Sequence, residues 1–174
     1  KLWIENLFKS LMNKLAMLQL IMKKKKMRIS QSSKKTQRYF ELARRMAKES
    51  TYGKLRHGAV LVKGGKVISV GCNKGSYCAF GQRFRDFQKY GHATQHAEIS
   101  AILGVSAKVT QGSTIYVARI NNYNEFRMSK PCCMCHEVME FVGVKKVCYT
   151  TGDDSYDTAS IGLDESFWHR GTDD

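Results

Sequence analysis

The chain has 174 residues, enough for one domain with a real core, and its 43% hydrophobic fraction excludes the disordered and collagen-like classes. Its formal net charge of +14 is unevenly spread: residues 1–35 carry +9, residues 36–150 carry +11 and residues 151–174 carry −6. A basic body suits anionic partners such as nucleotides or nucleic acid, although a solvated basic surface would look the same in composition.

Residues 1–26 differ in pattern from the rest of the chain. Ile4, Leu7, Phe8, Leu11, Leu15 and Leu18 fall near helical spacing and lead into Lys23 to Lys26. Glu5, Lys9 and Lys14 interrupt the run, so stable membrane insertion is not expected, and the positive charges come after the apolar stretch where a signal peptide would put them first. One reading is an amphipathic helix lying on a membrane or partner. The plainer one is an N-terminal extension to a protein that begins at Met22 or Met27. The expected organisation is an extension over 1–26, a domain over 27–150 and an acidic C-terminal tail over 151–174.

From Thr36 the pattern alternates between helix and strand. Tyr39, Phe40, Ala43, Met46 and Ala47 form one helical face, with Gly53 placed to end the helix. HGAVLVKGGKVISVGCN predicts two strands around a tight hairpin at Gly64-Gly65. Residues 74–95 read as irregular. HAEISAILG predicts a helix ending at Gly104, STIYVARI a buried strand, CHEVMEFVGV a helix and VKKVCYT a strand. No internal repeat or low-complexity linker is present.

The stretch SKPCCMCHEVM concentrates the chemistry: it holds the single proline and three of the six cysteines. Pro131 suits the first turn of a helix or the position before it, where its missing N–H would have been unpaired anyway. Cys132 and Cys135 then share a helical face, whereas Cys133 points roughly 100° away from Cys132. A helix N-terminus also favours thiolates. Two cysteines are an incomplete metal site. Of the five histidines, His96 stands out because Glu98 lies two residues after it at a helix start. His96, Cys132 and Cys135 offer three ligands that suit zinc in tetrahedral geometry, with a fourth position left for water. Glu98 is close without being a ligand, and can take a proton from the water and pass it to a ring nitrogen and a leaving amine. The order H-x-E…P-C-x-x-C is the signature of zinc deaminases that act on nucleobases.

HAEI and PCCMC, in that order and each at a helix start, resemble the cytidine and deoxycytidylate deaminase superfamily, which includes tRNA adenosine deaminases. The resemblance covers about Thr36 to Thr150. It implies an α/β fold of three layers, α-β-α, with a mixed central sheet and helices on both faces. It also implies zinc as cofactor, with His96, Cys132 and Cys135 as ligands and Glu98 as the catalytic acid and base. Asn73 in VGCNKG matches the superfamily's Gly-x-Asn, which implies contact with the substrate's sugar or base, and the N–H of Ala97 would meet the base carbonyl. The longer linker before PCCMC is similar to that of phage and viral deaminase-like proteins. The usual fifth strand and final helix are not evident after Thr150. Homo-oligomers are common in the superfamily.

The same residues admit other arrangements. A structural site built from Cys72, Cys78, Cys132 and Cys135 requires a wider first spacing than is usual. A disulfide framework fits poorly with a sizeable core, and the expected location is the cytoplasm, of a host cell if the protein is viral. Cys72 and Cys148 read as small core residues. In residues 76–94, Tyr77, Phe80, Phe84, Phe87 and Tyr90 interleave with Arg83, Arg85 and Lys89. Aromatics stack bases and cations hold phosphates, so Arg83 and Arg85 are candidate substrate-binding residues, while Phe80, Phe84 and Phe87 are at helical spacing and read as core. The expected activity is hydrolytic deamination of a cytosine nucleotide, with deoxycytidylate to deoxyuridylate as the leading case. The alternatives are a polynucleotide deaminase acting on tRNA adenosine or single-stranded cytosine, and a zinc nucleic-acid-binding module without turnover.

Overall fold

A computed structural model describes residues 27–53 and 55–162. The extension over 1–26 lies outside the described residues. In chain order the elements are β1 (Met27–Arg28), α1 (Lys34–Lys48), β2 (Arg56–Lys63), β3 (Lys66–Cys72), β4 (Lys74–Tyr77), α2 (Ala79–Gln82), α3 (Phe87–Tyr90), β5 (Thr94–Gln95), α4 (Ala97–Ile102), α5 (Ala107–Thr110), β6 (Thr114–Ile120), β7 (Phe126–Arg127), α6 (Cys133–Phe141), β8 (Lys146–Gly152) and β9 (Ser155–Ser160).

Ser33 caps α1 by accepting the Thr36 N–H at 3.2 Å, and Arg45 and Lys48 sit in its last turn, where the helix dipole favours cations. The helix stops at Glu49, before the glycine expected to end it. It buries Tyr39, Phe40, Ala43 and Ala47 against the sheet. Close seating is permitted by Gly58 on β2, where a Cβ would lie 2.0 Å from the Ala43 carbonyl oxygen.

The main sheet runs β1-β9-β8-β6-β2-β3, with β7 paired to β6 outside that path. It is mixed: β6 and β8 are parallel and the other pairs are antiparallel. Gly64 and Gly65 both have positive φ, 56° and 76°, as the tight β2–β3 hairpin requires. The period of two along the strands divides the core. Val60, Val62 and Ala118 face Tyr39 and Ala43 of α1, while Ala59, Leu61, Ile115 and Val117 face Ile99 of α4 and Val138 and Met139 of α6. Helices on both faces of one mixed sheet make the expected α-β-α layering.

Three stretches carry more structure than the sequence led one to expect. The segment after β6 turns at Asn124 (φ 62°) and folds back as β7, pairing Ile120 with Phe126 and Arg119 with Arg127. It thereby supplies partners for the end of β6, beyond the residues that pair with β8. Residues 74–95, read as irregular, contain a two-stranded β4–β5 sheet and the short helices α2 and α3. The chain after Thr150, expected to be an acidic tail, begins with a hairpin. Asp153 and Asp154, with φ of 50° and 54°, form the turn, and β9 pairs along β8 and then with β1. The sequence counts these two aspartates among the acids of the tail, yet aspartate is among the few side chains that tolerate positive φ at both turn positions. Among the described residues no helix is long and apolar enough to cross a membrane.

Candidate active site

Two helix N-termini meet beside the sheet. His96 is the cap residue of α4, and Cys132 is the cap residue of α6, with Cys135 in the first turn of that helix. Helix α4 is seated tightly on β3. Ser69 Oγ donates to the Ala101 carbonyl, and a Cβ on Gly71 would lie 2.5 Å from the Ala101 nitrogen. The approach to α6 is fixed by Ser129, which is buried. Its N–H donates to the Thr150 carbonyl at 2.8 Å and its Oγ to the Val117 carbonyl at 2.9 Å, tying the chain to β6 and β8 before Pro131 and Cys132.

His96 Nδ1 lies 3.5 Å from Cys132 Sγ and 3.3 Å from Cys135 Sγ, and the three donor atoms all fall within 4.8 Å of one another. A tetrahedral zinc with bonds of about 2.3 Å to sulfur and 2.0–2.1 Å to nitrogen requires S···N separations of about 3.5 Å. The donor set therefore fits such an ion in both chemistry and spacing. The three groups act strongly on one another's protonation. The Cys132 thiol is held well below its ordinary range by a hydrogen bond from Cys135 and by His96. Cys135 is pushed well above its range by burial and by the neighbouring Cys132 charge. Burial pulls His96 down, but its bond to Cys132 outweighs this and its proton affinity is raised.

Glu98 is 5% exposed and sits in the first turn of α4, two residues after His96. Burial raises its pKa, with the charge on His96 acting in the opposite direction, and its carboxyl shares a hydrogen bond with Cys135. The Ala97 N–H belongs to the first turn of α4, where backbone donors lack helical partners. Cys133 is exposed, while Cys72 and Cys78 are engaged elsewhere, Cys72 with the Glu49 carbonyl and Cys78 with the Gly81 N–H. Among the described residues, the three-residue set of possible metal donors is His96, Cys132 and Cys135.

Asn73 is buried and ties loops together. Its Oδ1 accepts from the His57 N–H at 2.8 Å and from Ser50 Oγ at 2.6 Å, and its Nδ2 donates to the Leu55 carbonyl at 2.6 Å. The two arginines expected together diverge. Arg85 donates to the Tyr90 carbonyl at 2.8 Å and the Gly91 carbonyl at 3.2 Å, and its charge reaches His96. Arg83 instead stacks on the rings of Phe80, Phe84 and Phe141, at 5.8, 5.9 and 5.8 Å. Phe80 and Phe84 pack on the core as expected, but Phe87 is 55% exposed and lies against His92, because α2 ends before it and α3 begins a new register. Sequence reasoning missed His57, whose ring feels the charges of His96 and Cys132. The available signal was a histidine opening an otherwise apolar strand, HGAVLV.

Residues 33–151 match the family model described as the cytidine and deoxycytidylate deaminase zinc-binding region, and the chain belongs to this family. Among solved structures it is similar to cytidine deaminase from Burkholderia pseudomallei, with 22% identity, a TM-score of 0.51, and coverage of 72% of this chain and 92% of that one. It is also similar to apo dCMP deaminase from the cyanophage S-TIM5, with 23% identity, a TM-score of 0.47, and coverage of 66% and 81%. A third similar structure is RibD from Acinetobacter baumannii, with 23% identity and a TM-score of 0.43; the match covers 68% of this chain and 28% of that longer one. At these identities the likeness is one of fold. No curated protein sequence matches the chain.

Proposed function

We propose that the protein is a zinc-dependent hydrolytic deaminase that replaces the exocyclic amine of a cytosine nucleotide, deoxycytidylate first, with a carbonyl oxygen and releases ammonia. His96, Cys132 and Cys135 would hold the ion, whose contribution is to make a water molecule acidic near neutral pH. The observation that carries the reading is the buried carboxyl of Glu98 beside this donor set. A purely structural zinc site has no use for a carboxylate, whereas a deaminase needs one group to take a proton from water, give it to the ring nitrogen and protonate the departing amine. Raising the proton affinity of Glu98 by burial suits both halves of that task. The Ala97 N–H, at the positive end of α4, would hold the base carbonyl.

Arg85 supports a phosphorylated substrate. Two backbone carbonyls hold its guanidinium close enough to act on His96, so little side-chain entropy remains to be lost on binding an anion. Asn73, through its remaining amide hydrogen, would meet the substrate's sugar or base.

The exposed rings of Tyr77, Phe87 and Tyr90 on the neighbouring loop favour a second reading, in which a single-stranded polynucleotide is the substrate. The discriminating experiment is ammonia release by zinc-loaded protein on deoxycytidylate, cytidine, cytosine, guanine and single-stranded oligonucleotides. Fastest turnover of deoxycytidylate supports the nucleotide reading. Turnover confined to oligonucleotides replaces it with the polynucleotide reading, and absence of turnover on every substrate overturns both.

A further inference from the structure

We infer that His57 recognises the substrate, with its ring Nε2 accepting a hydrogen bond from a donor on the nucleotide, either a sugar hydroxyl or the exocyclic amine; this presupposes the deaminase reading above. His57 is the second residue of β2, and its backbone is clamped on both sides by Asn73. Its N–H donates to Asn73 Oδ1 at 2.8 Å, and its carbonyl accepts from the Asn73 N–H at 3.2 Å. The ring is oriented as well, with Nδ1 lying 3.4 Å from the Leu55 carbonyl. A carbonyl can only accept, so Nδ1 carries the hydrogen and Nε2 presents a lone pair.

Three further observations point the lone pair toward a ligand. Burial keeps the ring neutral, with its pKa lowered to about 4, so Nε2 remains an acceptor at neutral pH. No hydrogen bond within the described residues reaches Nε2, and the residue is only partly buried. His57 shares its face of β2 with Ala59 and Leu61, the face that packs on α4 and α6, and the charges of His96 and Cys132 both act on its ring. Ser50 and Leu55 brace the same network through Asn73, so the acceptor is held in place before any ligand arrives.

The test pairs a residue deletion with a substrate deletion. On deoxycytidylate, His57→Leu should lower kcat/KM by roughly tenfold or more, the loss expected for one hydrogen bond in a desolvated site, while His57→Gln retains part of the activity. Zinc content and melting temperature measured alongside should stay at the parent's values. If a sugar hydroxyl is the donor, parent and His57→Leu should turn over 2′,3′-dideoxycytidylate within about twofold of each other. The amine is distinguished by the His57 Nε2 nitrogen resonance in a Glu98→Gln background, which would move on adding deoxycytidylate and not on adding deoxyuridylate; a sugar donor moves it with both. His57→Leu within twofold of the parent on deoxycytidylate, or an Nε2 resonance unmoved by saturating nucleotide, overturns the assignment. A parent enzyme that deaminates no cytosine nucleotide overturns the underlying reading, and the inference falls with it.

Discussion

Replacing Gly71 by alanine tests how the fold positions the helix that carries Glu98, with His96 as its cap. The added Cβ would lie 2.5 Å from the Ala101 nitrogen and 2.7 Å from the Ser100 carbonyl carbon, where ordinary contacts begin at 3.4 Å. Both neighbours are backbone of α4, so relief requires the helix to retreat by about 1 Å, at the 1–3 kcal/mol typical of an overpacked core. For a domain of this size the melting temperature should fall by about 2–4 °C per kcal/mol. The same displacement carries His96 and Glu98, and a misplacement of about 1 Å can reduce turnover by about 100-fold. Gly58→Ala provides the comparison, because its Cβ would meet the Ala43 carbonyl at 2.0 Å on the face opposite the site. It should destabilise the protein while leaving kcat per folded, zinc-loaded molecule within a few-fold of the parent. Gly53→Ala, with nothing within 4 Å, should be close to neutral. Thermal melting, elemental analysis and ammonia release measured on the three variants decide the matter. Parental melting temperature and kcat in Gly71→Ala, or an equal loss of kcat in Gly58→Ala, would refute the reasoning.

Purified protein should hold close to one zinc per chain. Elemental analysis should show this content reduced by Cys132→Ala, Cys135→Ala or His96→Ala and unchanged by Cys133→Ser. Arg85→Gln should raise KM for deoxycytidylate by roughly tenfold or more, the loss expected for a charge-assisted bond, and leave KM for cytidine unchanged; equal effects on both would remove the phosphate role. The folded pKa of His57, about 4, lies below its unfolded value near 6.5, so the unfolded chain takes up the proton first as pH falls. Stability should therefore drop between about pH 6.5 and 4, by a few kcal/mol at most at about 1.4 kcal/mol per unit, and His57→Leu should flatten that drop in urea unfolding of the metal-free protein.

The legible parts of the sequence were those whose chemistry is local. The Gly64-Gly65 turn, the caps of α4 and α6 and the spacing of Cys132 from Cys135 are short-range patterns, and each dictates a geometry without tertiary context. His96 was legible because Glu98 stands two residues away at a helix start. Long-range placement was not legible. Arg83 and Arg85 look equivalent in sequence, yet Phe141 from α6 draws one into an aromatic cluster and the carbonyls of Tyr90 and Gly91 hold the other near His96. Strand β9 was hidden because its turn is made by aspartates, and its pairing residues, SYDTAS, are too polar to read as a buried strand. His57 was hidden because its significance comes from Asn73 and Leu55, which reach it from elsewhere in the chain or leave no pattern around it.

The most direct measurement compares Glu98→Gln with the parent for both zinc content and ammonia release on the substrate identified by the screen. The two side chains are nearly isosteric, so fold and zinc should be retained, but an amide can neither take the proton from water nor deliver it onward. General acid–base participation is typically worth about 100- to 10,000-fold, and a group that serves several transfers belongs at the upper end. A zinc-loaded Glu98→Gln protein with turnover lowered by at least that much is the expected result. A zinc-loaded variant that turns over within a few-fold of the parent would contradict the assignment of Glu98 and the deaminase mechanism with it.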